Sequence, residues 1–352
     1  MKNFEYVRPV SVADAIAAAS LPGAVYLAAG TNLLDLMKGS VSRPDRLVDV
    51  TRLPLLDRIE PLADGGIRIG ALVRNADLAH DMAFVKAYPA VAEALLSGAS
   101  AQLRNAATVA GNLLQRPRCA YFHDVASACN RREPGSGCDA RHGENRLHAV
   151  LGWSDACIAT HPSDFCVPLV ALDAVVEIEG KSGRREVRLE DLHRLPGSMP
   201  ERETVLDPCD LIVAVKLPAA ARNFSGHARY LKVRERTSYA FAVVSAAACL
   251  SIARGKIAEA RVALGGVAAK PWRAREAEKL LAGAAPDAEN FQRAAKAALA
   301  DAKPSGNNEF KIELAQRIVL RALTIAAAGT PARIPALPAS PFSTSPGALH
   351  DA

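Results

Sequence analysis

The sequence predicts an α+β protein in two folded parts, residues 1–222 and 223–330, followed by a tail over 331–352. Three observations carry that reading. The chain has 352 residues, half of them hydrophobic, which is enough for more than one core. Up to about residue 222, short apolar runs of strand length alternate with helical stretches. Beyond that point three strand-like runs come first and helices follow.

The elements follow in order. Ser11 is placed to cap a helix running through Ala19, with Asp14 in its first turn. Ala24–Ala28 reads as a short buried strand that enters the loop Ala29-Gly30-Thr31-Asn32, and Leu33–Lys38 as the helix after it. Leu47–Val50 and Ile67–Ala71 are strands, and helical stretches lie near Asn75–Met82 and Ala90–Leu96. Arg104–Leu113 reads as a second loop, in which Gly111 permits an unusual backbone angle. Val167–Ala174 is an apolar run. Val175–Glu179 and Arg185–Leu189 alternate on either side of Lys181-Ser182-Gly183 and form a hairpin. Leu211–Leu217 is another strand. Tyr230–Arg234, Ala242–Ala253 and Lys256–Leu264 give a three-stranded antiparallel sheet, and helices follow at Arg273–Leu281, Ala288–Leu299 and Glu309–Ala328. Residues 331–352 are rich in Pro, Ser and Ala and read as a surface tail.

The net charge is +6, from 43 Lys and Arg against 37 Asp and Glu. The basic residues are interspersed with acidic ones and aromatics make up only 5%, so the chain shows no basic, aromatic-studded stripe for nucleic acid. No apolar run reaches the ~20 residues of a membrane span, and the N-terminal residues read as carrying no export signal of their own. The common dinucleotide and nucleotide-triphosphate loops are absent, as are HExxH and GxSxG.

Seven cysteines divide into two sets. Cys166, Cys209 and Cys249 stand among apolar residues and read as small core residues. Cys119, Cys129, Cys138 and Cys157 fall within a polar, Gly-bearing segment at the spacing C-x9-C-x8-C-x18-C. Such a segment has too little apolar surface to pack by itself, so sulfurs could pin it. Zinc fingers and bacterial ferredoxins use close C-x2-C pairs, which are missing here. A bulky cluster, a zinc ion and disulfides all remain open. His123, His142, His148 and His161 lie nearby and read as surface or supporting histidines, while Arg116, Arg118, Arg131 and Arg132 could offset a negative cluster or form a docking face.

A strand running into Ala28-Ala29-Gly30-Thr31-Asn32 can present backbone N–H groups to a phosphate, and Thr108, Gly111 and Asn112 have the same character. Four ordered segments, AAGTNLLDLMK, NAATVAGNLLQ, HPSDFCVPLVALDA and YLKVRERTSYAF, make the chain resemble the FAD-binding subunit of the xanthine dehydrogenase/molybdenum hydroxylase family, up to about residue 328. It is most similar to the branch whose flavin subunit also carries a [4Fe-4S] cluster, as in periplasmic aldehyde oxidoreductases and 4-hydroxybenzoyl-CoA reductase.

The resemblance implies an FAD-binding type-2 (PCMH-like) fold over 1–222, with subdomains of about 1–55 and 56–222 and an iron–sulfur loop at 115–160. It implies that Leu27, Ala28, Ala29, Gly30, Thr31, Asn32, Leu33 and Leu34 wrap the FAD pyrophosphate. Thr108, Gly111 and Asn112 would make the second phosphate or ribityl contact. Asp164 would bind ribityl or ribose hydroxyls, Ile212 would pack on the flavin or adenine, and Lys232 would approach the isoalloxazine ring. Cys119, Cys129, Cys138 and Cys157 would ligate the cluster. Ala29 and Ala110 stand where family loops often carry Gly, and a methyl there accepts a phosphate only at negative φ.

No nucleophile and base are apparent. The resemblance therefore implies an electron-transfer subunit rather than a substrate-oxidising one. Its partners would be a large molybdenum-cofactor subunit and a small [2Fe-2S] subunit, with an external electron acceptor. The compartment would be cytoplasmic, or periplasmic through export with a partner that carries the signal. Two other readings stand beside it: a self-contained flavin oxidase with a structural zinc loop, and a scaffold subunit without FAD.

Overall fold

The computed structural model describes residues 1–332 and residue 334, so the expected tail lies almost wholly outside the described residues. The strands fall into three sheets. The first is parallel and joins β1 (Glu5–Val7), β2 (Ala24–Leu27) and β3 (Arg46–Asp49) in the order β1-β3-β2. Ser11 caps the helix Val12–Ala19 as its position predicts, accepting from the Asp14 amide at 3.1 Å. The strand β1 escaped the sequence reading because two of its three residues are exposed, which leaves no apolar alternation.

The second sheet is antiparallel throughout. It contains β4 (Ile59–Pro61), β5 (Ile67–Gly70), β6 (Val175–Gly180), β7 (Gly183–Arg188) and β8 (Leu211–Leu217), ordered β4-β5-β8-β6-β7. The helices between β5 and β6 pack on it, and Ile69, Leu78, Phe84, Val91, Phe165 and Val176 share one core. The apolar run after Asp164 is the helix Cys166–Ala171, buried at all six positions. The expected loop over Arg104–Leu113 is instead two short helices, Ala101–Ala106 and Val109–Leu113. Thr108 turns the chain between them and caps the second, accepting from the Gly111 amide at 3.4 Å. Helices this short carry too little periodicity to be read from the residues.

The third sheet has four strands where three were expected. They are β9 (Ala228–Val233), β10 (Val244–Ala253), β11 (Lys256–Gly265) and β12 (Trp272–Arg273), in the order β12-β11-β10-β9. Two residues are too few to announce a strand, which is why β12 was missed. Ala247, Cys249 and Ala263 of the central pair face the core of the second sheet. Ala246, Ala248, Leu250, Val262 and Leu264 face the helices Ala288–Ala298 and Phe310–Ala327. Burial on both sides explains the unbroken small, apolar sequence of β10.

The regular structure of residues 115–160 is a four-residue helix, Ala120–His123, a 3-10 turn, Asp139–Arg141, and two isolated antiparallel bridges, Cys129 to Cys138 and Ser154 to Cys157. The segment is pinned by polar side chains. The buried Lys311 ammonium donates to the carbonyls of Leu147, His148 and Gly266 at 2.9, 2.7 and 2.7 Å. Asn308 Nδ2 donates to His148 and Ala149, both at 3.1 Å. Arg132 donates to the Tyr121 and Phe122 carbonyls at 2.8 and 2.9 Å. Among the described residues, no helix is long and apolar enough to cross a membrane.

Candidate functional site

The strand β2 ends at Leu27, and the chain turns through Ala28–Asn32 into the helix Leu33–Lys38. Gly30 makes the turn at φ +75°, and a Cβ there would lie 2.8 Å from Leu34 Cδ1 and 3.4 Å from Leu27 Cδ1. Leu27 and Leu34 thus close around Gly30 rather than forming cavity wall. Ala28, Ala29, Gly30, Thr31, Asn32 and Leu33 wall a cavity of 240 Å³, joined by Thr108, Gly111 and Ile212. Neither Ala29 nor Ala110 has positive φ, so the condition for a methyl at those positions is met. Gly111 does not take the unusual angle expected of it. A Cβ at Gly111 would meet only Thr108 Oγ1, at 3.1 Å, so the glycine leaves its other side clear for close approach.

A second cavity of 510 Å³ shares Thr31, Asn32 and Gly111 as wall and adds Asn112, Asp164 and Lys232. The long charged pair is held in place before any ligand arrives. Asp164 accepts from Lys232 Nζ at 2.7 Å and from the Tyr230 hydroxyl at 2.6 Å. The Lys232 and Asp164 side chains are 4% and 7% exposed, so water screens the pair little. Burial, and then the Asp164 charge, push the Tyr230 phenol well above its ordinary pKa and keep it a donor.

Three buried polar atoms in the wall of the larger cavity have no partner among the described residues: Asn32 Nδ2, Asn75 Oδ1 and Arg118 Nε. Unsatisfied groups of this kind are rare, and three on one wall suit a polar ligand. Arg118 lies with its guanidinium 4.8 Å over the Phe241 ring. Burial lowers the pKa of Arg118. Asn75 was not legible as a site residue, because only the packing of its helix brings it here. Arg118 was legible only as one of several arginines near the cysteines.

Arg118 is followed directly by Cys119, which lines a separate small hollow together with Cys129, Cys138 and Cys157. All seven cysteines are unpaired, so the four are not held as disulfides. The Cys157 sulfur accepts from the Arg131 guanidinium and the Ala159 amide, each at 3.5 Å. Arg131 is 3.4 Å from Glu203 as well. Burial pushes the Cys119 thiol up to about 11 and raises that of Cys138, with the neighbouring cysteines adding to both shifts. No three of the four sulfurs lie within 4.8 Å of one another. Sulfurs around a tetrahedral zinc would stand ~3.8 Å apart. Of the four histidines near the segment, His148 is the one that reaches a sulfur of this set, with Nε2 3.2 Å from Cys119 Sγ. His142 is exposed, and His123 and His161 turn to the carbonyls of Pro117 and Leu113.

Comparison with known proteins gives the family and the fold. Residues 2–220 match the family described as the FAD binding domain in molybdopterin dehydrogenase, and residues 229–326 match the CO dehydrogenase flavoprotein C-terminal domain. The chain is 49% identical to the aldehyde oxidoreductase FAD-binding subunit PaoB of Escherichia coli, over 93% of this chain and 99% of that one. It is 28% identical to the carbon monoxide dehydrogenase medium chain of Hydrogenophaga pseudoflava, over 92% and 97%. Among solved structures, the carbon monoxide dehydrogenase of Hydrogenophaga pseudoflava superposes with a TM-score of 0.72 at 27% identity, covering 93% of this chain and 98% of that one. Quinoline 2-oxidoreductase of Pseudomonas putida gives 0.70 at 25% identity, with 93% and 98% covered. The chain belongs to the family of FAD-binding medium subunits of the xanthine dehydrogenase and carbon monoxide dehydrogenase type, and it is a flavoprotein component of an oxidoreductase.

Proposed function

We propose that the chain is the FAD- and [4Fe-4S]-carrying electron-transfer subunit of a molybdenum-dependent aldehyde or xanthine-type oxidoreductase. Residues 1–222 would form its FAD-binding part and 223–330 its C-terminal part. A large molybdenum-cofactor subunit would oxidise the substrate, a small [2Fe-2S] subunit would deliver electrons, and an external acceptor would take them away. The 49% identity to an aldehyde oxidoreductase subunit supports an aldehyde as the substrate class.

The observation that carries the reading is adjacency. Arg118 walls the larger cavity, and the next residue, Cys119, walls the four-thiol hollow. The residues fit both groups. The turn Ala28–Asn32, the open face of Gly111 and the three unpartnered polar atoms suit a diphosphate and polar ring edges. Four unpaired cysteines around one hollow, spaced too widely for a single ion, suit a cuboidal cluster.

When bound, FAD links one-electron transfer from iron–sulfur centres to a two-electron acceptor. The chain's residues supply the setting. Asp164 holds the Lys232 ammonium at the cavity wall, where its charge favours an anionic ring system. Tyr230 and the Ser97 carbonyl, 3.2 Å from Lys232 Nζ, keep that pair from turning away. Arg131 sets a buried positive charge against the Cys157 sulfur and so offsets the negative charge of thiolate ligands.

The test is the visible spectrum of the purified chain, with flavin and iron counted. Flavin bands over a broad absorption that bleaches on reduction, about four irons per chain, and loss of the iron but not the flavin in Cys129→Ser support the reading. Flavin with zinc in the cysteine hollow favours a self-contained oxidase with a structural metal. A colourless chain leaves the scaffold reading.

A further inference from the structure

We propose that His161, Cys166 and His193 form a binding site for one divalent ion of the zinc class, distinct from the four-cysteine hollow. All three residues are buried, and a ring nitrogen of each histidine and the Cys166 sulfur lie within 4.8 Å of one another. Among the described residues this is the one such set. It is assembled from separate stretches of chain. His161 and Cys166 flank the turn into the helix Cys166–Ala171, and His193 directly follows the helix Leu189–Leu192.

The surroundings are those of a metal site. Both rings turn Nε2 to a single backbone carbonyl, that of Leu113, at 3.3 Å for His161 and 2.9 Å for His193. An N–H given to a backbone carbonyl sets the tautomer of a ligating imidazole; at His193 it leaves Nδ1 as donor to the metal, whereas His161 Nδ1 accepts from the Ser163 amide at 3.4 Å and has to release that contact to ligate. His193 Nδ1 is buried and has no partner among the described residues. Two imidazoles and a thiolate match the ligand preference of zinc. The wall of a neighbouring hollow of 30 Å³ includes His161 and Ser245, whose Oγ is also buried without a partner. That space admits one water, which could complete a four-coordinate set. Donor atoms around tetrahedral zinc stand ~3.3–3.8 Å apart, so from a separation of at most 4.8 Å side-chain rotation has to close no more than about 1.5 Å.

The place of the site suggests its task. Leu113 ends the helix Val109–Leu113, whose Thr108 and Gly111 wall the cavities, and Cys166 lies two residues from Asp164. An ion here would clamp the back of the cradle and positions side chains without touching the reacting atoms. It would also give Cys166, by sequence a core residue, a partner in His193 that only the fold supplies.

Zinc and iron are measured by mass spectrometry on the full chain purified with zinc and then dialysed against a chelator. X-ray absorption at the zinc edge reads the ligands of the wild type directly. The expected result is about one zinc per chain with one sulfur and two nitrogen neighbours. Cys166→Ser and His193→Gln should each lower zinc at least tenfold while leaving iron unchanged, and circular dichroism identifies a variant that has failed to fold. The absorption spectrum of the wild type decides the question without any variant. Folded wild type that retains no zinc, zinc surrounded by four sulfurs, or zinc unaffected by both substitutions would overturn the proposal. None of these outcomes depends on FAD or on the cluster.

Discussion

The cradle and the cysteine segment are built by opposite means. Between Leu27 and Asn112 the walls are strand ends and helix starts, so the backbone is positioned by regular structure, and the turn residues Ala28–Gly30 are small. Between residues 115 and 160 there is almost no regular structure. Long polar side chains tie up the segment's carbonyls instead, Lys311 and Asn308 from elsewhere and Arg132 from within the segment. A wall made of secondary structure is stable before its ligand binds. A loop tied by side chains depends on each tie, and it is the region most sensitive to loss of one.

The largest effect is expected where the cradle itself uses a buried charge. Lys232→Met leaves Asp164 buried with only Tyr230 as a donor and should cost roughly 3–5 kcal/mol, since half of a buried ion pair is worse than none. Denaturant unfolding of K232M and of the double variant K232M/D164N checks this. The double variant should recover much of the loss, and no recovery would mean that Lys232 acts through packing rather than charge. Next, Lys311→Met should cost roughly 2–3 kcal/mol by stranding the Leu147 and Gly266 carbonyls. Limited proteolysis should then cut first within 115–160. Cuts that begin in the cradle would contradict the contrast drawn between the two regions.

A smaller loss, about 1–2 kcal/mol, is expected for Gly30→Ala, because an L residue is strained in the left-handed region. The added methyl also meets Leu34, so flavin content should fall while iron content holds. Equal loss of both would show that the regions are not independent. The smallest effect is electrostatic. Asp49 stands opposite Leu27 in the register of β2 and β3, at the foot of the cradle. Burial by itself would raise its pKa, but hydrogen bonds from Thr51, Tyr6 and Arg8 win and lower it from 3.8 to about 2. A lowered carboxyl contributes stability above its unfolded pKa and loses it as pH falls through the folded value. The stability gap between wild type and Asp49→Asn should therefore be full above pH ~4 and close towards pH ~2, as acid titration of unfolding would show.

Local features were legible where one stretch of chain carries its own signal. Ser11 with Asp14, the helix Leu33–Lys38 and the hairpin of β6 and β7 all depend on neighbours a few residues away. The illegible features depend on distance. β12 is a strand only because β11 lies beside it. Thr108 and Gly111 belong to a capped helix rather than a loop because Val109 and Leu113 find a core to enter. Lys311 lies in the expected helix Glu309–Ala328, and its carbonyl partners Leu147 and His148 come to it only because their segment folds over it.

From the order of residues alone came the chain's class, its small-residue turns and its set of four thiols. Those are matters of residue type and spacing, and spacing is printed in the chain. Only the tertiary structure decided that the thiols ring one hollow next to Arg118, that Asp164 meets Lys232, and that His193 comes to Cys166. These contacts join residues far apart in sequence, and burial of apolar surface, which has no direction of its own, brings them together.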